Sequence, residues 1–207
     1  MNEERPYTLH EPVAPGIRER VPAGTALLVT GEGGPTRDIN LSTLQADRGE
    51  GVVFVTEGTA DEACSVCADR AEHYWCIATE GDAGECGTVV EGLDDVSEVA
   101  VALATLLSRA EDRGVKRLRV GFDGLDTLLA GADPALAFRF LHLFTGRVRS
   151  GGLLAVAHID PARHDPATVS NVRALFDGVL EVRATDDGRE ARLRGIDDIP
   201  GRWAPIK

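Results

Sequence analysis

The stretch ALLVTGEGGPTRDINL, residues 26–41, decides how the chain is read. ALLVT (26–30) is short, rich in Val and Leu, and closed by Gly31, the mark of a buried strand. GEGG follows as a glycine-rich turn, and Asp38 then falls in the first turn of a helix, where a carboxylate suits the helix dipole. A buried strand feeding a helix through a tight turn is the opening of a parallel α/β sheet.

Reading outward, the same alternation continues. GVVFVT (51–56) predicts a second buried strand, DEACSVCADRAEHY (61–74) a helix and WCIAT (75–79) a third strand. DDVSEVAVALATLLSRAEDRG (94–114) is the clearest helix, with Ser97 as its cap and Gly114 as its stop. RLRVGF (117–122) predicts a strand, and 133–151 a helix capped by Asp133 with Pro134 in its first turn. GLLAVAHI (152–159) predicts a strand and PATVSNVRALF (166–176) a helix. GVLEVRATDDGREARLRGI (178–196) closes as a hairpin turning at Asp187-Gly188. Right-handed crossovers between such strands imply a three-layer α/β/α sandwich with a mostly parallel sheet and a C-terminal antiparallel hairpin. Residues 1–21 are polar and proline-rich and read as an extended arm, with 22–207 as one α/β domain.

Composition bounds the partners. Asp and Glu number 34 against 22 Lys and Arg, a net charge of −12. Lysine occurs only at Lys116 and Lys207. An acidic, lysine-poor chain suits a cytoplasm of high salt, where a short Debye length screens self-repulsion, so a halophilic archaeal source is expected. Arginine use forced by a GC-rich genome is the plainer alternative. Duplex nucleic acid is not expected as a partner, because no basic run exceeds VKRLRV. No apolar run approaches a membrane span, and MNEERPYTLHEP lacks an apolar leader, so the expectation is cytoplasmic.

In open α/β sheets ligands bind beyond the carboxyl ends of the strands. The turn after Thr30 lies there, and it can be laid on the phosphate-loop pattern G-x-x-x-x-G-K-[ST]. Gly31 matches the first glycine, and Gly33 and Gly34 fall among the variable places. Thr36 replaces the second glycine, where a β-branched side chain obstructs close approach. Arg37 replaces the lysine and keeps the charge in a bulkier fork. Asp38 replaces the Mg²⁺-binding hydroxyl and places a carboxylate toward the phosphates. An ordinary strand-to-helix turn accounts for the same residues.

Asp123 ends RLRVGF as a Walker B acid would, although Arg119 and Gly121 interrupt the apolar run before it. Asp126 and Thr127 could instead cap a short helix. Glu57 ends GVVFVT where a water-activating acid would stand, and RLRG (192–195) closes the hairpin. With these features the chain, over about residues 21 to 200, resembles the RecA-like ATPases of KaiC type, and among them small halophilic-archaeal members with degenerate loops. The resemblance implies phosphate-loop roles for Gly31, Gly33, Gly34, Thr36, Arg37 and Asp38, catalysis by Glu57 and Mg²⁺ at Asp123. It also implies that Arg192 and Arg194 answer a K-x-R-G motif that reaches a neighbouring subunit's nucleotide.

Four cysteines remain. Cys64 and Cys67 lie one helical turn apart, and a zinc site could combine them with His73 and Cys76. A redox C-x-x-C, or simply buried apolar thiols, are the other readings. His158, ending its strand, is the histidine that could face the site, and His142, within a helix, is expected to be partly buried.

The functional expectation is a non-catalytic regulatory or signalling module on this scaffold, with no cofactor and with a protein partner. The alternative is a slow or divergent Mg-ATP-binding ATPase. A weaker alternative is a zinc or redox sensor through Cys64 and Cys67. The resemblance adds a homo-oligomer as a possible state, since KaiC-like proteins form rings.

Overall fold

A computed structural model gives the fold and describes residues 5–10, 20–31, 35–197, 199 and 201–206, without the side chains of residues 35–37. Near the N-terminus, β1 (Tyr7–Thr8) and β2 (Arg20–Val21) form a two-stranded antiparallel ribbon. The main sheet contains β3 (Thr25–Thr30), β4 (Glu50–Thr56), β5 (His73–Ala78), β6 (Gly87–Val89) and β7 (Arg117–Asp123). It is completed by β8 (Leu154–Ile159), β9 (Gly178–Thr185), β10 (Gly188–Arg194) and β11 (Ala204–Ile206). Their order is β11-β10-β9-β3-β8-β7-β4-β5-β6. From β9 to β6 every neighbour is parallel, and β10 and β11 close the edge antiparallel.

Six helices flank it among the described residues: α1 (Pro35–Thr43), α2 (Ala60–Ala68), α3 (Val96–Asp112), α4 (Leu125–Gly131), α5 (Pro134–Ser150) and α6 (Pro166–Arg173). Strand alternation sorts them. Ala26, Leu28, Val53 and Val55 face the core shared with α3, α4, α5 and α6. Leu27 and Val29 face Tyr7, Leu9 and Ile39, while Val52 and Phe54 face α2. Each fully buried Val, Leu or Phe contributes about 1.5–3 kcal/mol. The three-layer sandwich expected from the sequence is the one observed.

Several boundaries differ for identifiable reasons. α2 stops at Ala68, and His73 and Tyr74 belong to β5. Arg70 turns back to bond the carbonyls of Val66 at 2.6 Å and Leu41 at 3.0 Å, which ends the helix. α3 is capped by Asp95, not Ser97, since its carboxylate accepts from the amides of Ser97 and Glu98. The hairpin turns at Asp186-Asp187, because Gly188 already pairs with Thr185. Gly124, without a side-chain cap, precedes α4, so Asp126 and Thr127 do not cap it.

The interruptions in β7 are structural necessities. A Cβ on Gly121 would stand 2.5 Å from Leu44 and 3.0 Å from Phe54. Arg119 is fully buried, and its Nε donates to Glu50 at 2.8 Å. Arg117 donates to the other Glu50 oxygen at 2.9 Å. Other guanidinium N–H groups donate to backbone carbonyls: Arg119 to Thr43 and Thr8, both at 2.9 Å, and Arg117 to Arg5 at 2.7 Å and Pro6 at 3.3 Å. The Tyr7 ring lies 4.0 Å from the Arg117 guanidinium and 5.4 Å from that of Arg119. Burial pushes the Tyr7 phenol up to about 12, against the pull of Arg117, so it stays protonated and donates to Gly152 O at 3.1 Å. Residues 5–9 are thereby held across the starts of β4 and β7.

Removing one member of a buried ion cluster leaves uncompensated charge. Glu50→Ala should lower stability by about 3–5 kcal/mol, read from urea unfolding. Tyr7→Phe, which keeps the ring and loses the bond to Gly152, should cost only about 0.5–1.5 kcal/mol.

Candidate functional site

The carboxyl ends of β3, β8, β7 and β4 lie side by side at one edge of the sheet. β3 hands over at Gly31, which is buried, and α1 begins four residues later at Pro35. A helix therefore starts directly beyond the strand, as a phosphate-binding turn requires. Asp38 is exposed in its first turn. Gly33 and Gly34 lie outside the described residues, as do the side chains of Thr36 and Arg37.

At the β4 and β7 ends, Thr56 pairs with Asp123, and the Thr56 hydroxyl donates to the Asp123 carboxylate at 3.4 Å. Glu57 is exposed, and its carboxylate accepts from Thr127 Oγ1 at 2.8 Å. The two acids are thus brought to neighbouring strand ends, each held by a threonine.

Behind them lies a pair that sequence reasoning missed. Asp126 is buried in α4, and its Oδ1 stands 2.7 Å from His164 Nε2. It also accepts from the Asp160 amide at 3.1 and 3.3 Å, and Arg163 lies 3.7 Å away. Only the bend after β8 brings Asp160–His164 back over α4, so no spacing in the sequence marks it. His158 does end up near the site. Its Nε2 is buried and finds no hydrogen-bond partner among the described residues. Burial pushes its pKa below the ordinary 6.5, against the pull of Asp126, Asp123 and Asp160.

On the other side of β3 a cavity of about 590 Å³ opens between Thr30, Gly31, Arg173, Arg189, Arg192 and Trp203. Arg173 donates to Thr30 Oγ1 at 3.2 Å and to Glu181 at 3.3 Å, while its buried Nε has no acceptor among the described residues. Arg192 is bonded to Glu181 and lies 4.4 Å over the Trp203 ring, with Arg183 at 4.0 Å from the same ring. Arg192 thus lines a cavity with its own chain's Gly31. Arg194, two residues on, is exposed. A larger hollow of about 730 Å³ lies near Pro22, Lys116 and Gly152, at the starts of the strands. Strand starts are the wrong end for ligands in such sheets, so the arginine-lined cavity is the candidate.

The C-x-x-C thiols diverge. Cys64 Sγ lies 3.2 Å from Cys76 Sγ, whereas Cys67 is buried and directed at Trp75 O, 3.9 Å away. His73 is exposed at the start of β5. Among the described residues no group of three or more His, Cys, Asp or Glu side chains is arranged to hold a metal ion. His142, expected to be partly buried, is exposed on α5, whose core-facing side is carried by neighbours such as Leu141 and Phe144. No helix of the described residues is long and apolar enough to cross a membrane.

Residues 24–182 match the sequence family described as "Family of unknown function (DUF7504)". Among solved structures the chain is similar to the KaiC-like protein PH0186 from the hyperthermophilic archaea Pyrococcus horikoshii OT3. The TM-score is 0.63, over 99% of this chain and 93% of that one, at 14% identity. At that identity the likeness establishes the fold, a KaiC/RecA-like sandwich. No curated protein matches the chain.

The His158 environment gives a pH test. Its neutral form is favoured in the folded chain, so the unfolded chain takes up the proton first as pH falls through 6.5. Its contribution to stability is full above that pH and declines below it. His158→Gln should flatten the corresponding fall in urea midpoint on the acid side of pH 6.5.

Proposed function

We propose that this chain, which belongs to the DUF7504 family of unknown function, is a divergent nucleotide-binding module that turns over Mg-ATP slowly. The observation that carries this reading is the cavity beside Gly31. In a chain of net charge −12, it gathers Arg173, Arg183, Arg189 and Arg192, with Glu181 bonded to Arg173 and Arg192 and Glu190 bonded to Arg183. Among the described residues Arg173 Nε has no acceptor, and guanidinium forks suit phosphate oxygens.

The cavity supplies cationic charge that the degenerate loop lacks. Arg173 and Arg192 bind phosphate oxygens, assisted by Arg37 and by the first amides of α1. Asp123 and Thr56 would hold Mg²⁺, which would supply charge neutralisation at the phosphates. Glu57, oriented by Thr127, is placed to orient a water. The Asp126–His164 pair, together with the Asp160 amide bonded to Asp126, ties the segment after β8 to α4. Arg194, exposed at the end of β10, is free of this cavity to reach a neighbouring copy in a homo-oligomer.

A second reading, a regulatory scaffold that binds a protein partner without turnover, is favoured by Asp38. It places an exposed carboxylate at the helix start that would receive the phosphates, and phosphoryl transfer depends on positioning and charge.

Calorimetry with Mg-ATP and Mg-GTP in molar KCl separates the two readings. Under the first, binding is measurable, and Arg173→Ala or Arg192→Ala weakens it by roughly 10–100-fold. Arg37→Lys combined with Asp38→Thr and Thr36→Gly strengthens it. No heat at millimolar nucleotide, in wild type and triple variant alike, supports the scaffold.

A further inference from the structure

The strongest unassigned feature is a group of thiols on the α2 face of β5. Cys64, in the second turn of α2, meets Cys76 with their sulfurs 3.2 Å apart. That is closer than two sulfurs in ordinary contact and is bridged by no bond. Cys76 is buried, and Cys64 is half-buried and reachable from solvent.

Cys86 completes the group. It ends the short helical turn Gly84–Cys86, and the next residue, Gly87, pairs with Cys76 across β5 and β6. A Cβ on Gly87 would stand 2.3 Å from Cys76 O and 2.7 Å from its Sγ. Glycine there allows the segment carrying Cys86 to close on the other thiols. Cys86 is itself half-buried and lies near enough to Cys64 and the Tyr74 phenol to push the pKa of both upward. Cys67, although one turn from Cys64, is directed into the core at Trp75 O.

We propose that Cys64, Cys76 and Cys86 form a thiol–disulfide site, in which Cys64 and Cys76 close an intramolecular disulfide and Cys86 is the exchanging third thiol. The assignment is independent of the nucleotide reading. The oxidant is a low-molecular-weight disulfide. Cys64, the more accessible partner, loses its proton to water and attacks one sulfur of that disulfide. The oxidant's S–S bond breaks, and its first thiolate leaves and is protonated. Cys76 then loses its proton and attacks Cys64 Sγ, the mixed S–S bond breaks, and the second thiolate leaves and is protonated. Two protein thiols are oxidised and one small disulfide is reduced to two thiols. Cys86 exchanges by the same attack on Cys64 Sγ, displacing Cys76. Burial pushes the Cys64 and Cys76 thiols up, so the bond forms slowly near neutrality and faster in base. Once formed, it ties α2, the helix that follows the Glu57 loop, to β5.

The test equilibrates the full-length protein with oxidised glutathione, alkylates remaining thiols under denaturing conditions, and maps linked peptides by mass spectrometry. Two of the four cysteines should escape alkylation, joined as Cys64–Cys76, with Cys67 alkylated. Cys86→Ser, a half-exposed change that leaves the core intact, should still form that bond. Cys64→Ser should leave no intramolecular link. Cys76→Ser should divert Cys64 to Cys86. Four alkylated cysteines in oxidised wild type, or a Cys64–Cys67 link, would overturn the site. A Cys76→Ser protein carrying only a glutathione adduct would remove Cys86 from it.

Discussion

A buried carboxylate between two guanidinium groups sets the terms for the rest of this structure. Glu50 opens β4, and Arg117 and Arg119 open β7 beside it. Two cations around one anion leave a net positive charge inside the protein, and desolvation makes that costly unless every N–H finds an acceptor. The chain answers with carbonyls from Arg5, Pro6, Thr8 and Thr43 and with the face of Tyr7. The N-terminal segment is therefore drawn over the strand starts, and β4 and β7 are pinned in one register. That register places Thr56 opposite Asp123 at the far end.

Arginine chemistry thus appears at both ends of the sheet with opposite consequences. At the strand starts the guanidinium groups are sealed and satisfied. Around the cavity beside β3 they stand open to solvent in part, held forward by Glu181 and by the Trp203 ring. The chain that carries these arginines has a net charge of −12. Such a contrast focuses attraction for an anion on one place, and in high salt it keeps the effect short in range.

Close approach of backbone has a comparable role on the β5 side. Gly121 lets Leu44 and Phe54 cover β7, and Gly87 lets β6 approach Cys76. A methyl group would displace the Leu44 side chain at Gly121 and would strike the Cys76 backbone carbonyl at Gly87. One gives the core its density, and the other brings thiols distant in sequence within reach of one another.

What the sequence determined by itself is local. ALLVTG, GVVFVT and the helical periods of 94–114 and 133–151 announce their elements, because burial of alternating or helical faces is written in neighbouring residues. Asp133 with Pro134, and Glu57 and Asp123 at strand ends, were legible for the same reason. The tertiary structure decided what depends on groups far apart in the chain. Arg119 looks like a flaw in β7 until Glu50 and Thr8 are placed around it. Cys67 looks like the partner of Cys64 until β5 supplies Cys76, and the Asp126–His164 pair exists only because the chain doubles back after β8. A buried charge, a thiol or a histidine acquires its chemistry from whatever desolvates and faces it, and those neighbours are chosen by the order of strands in the sheet.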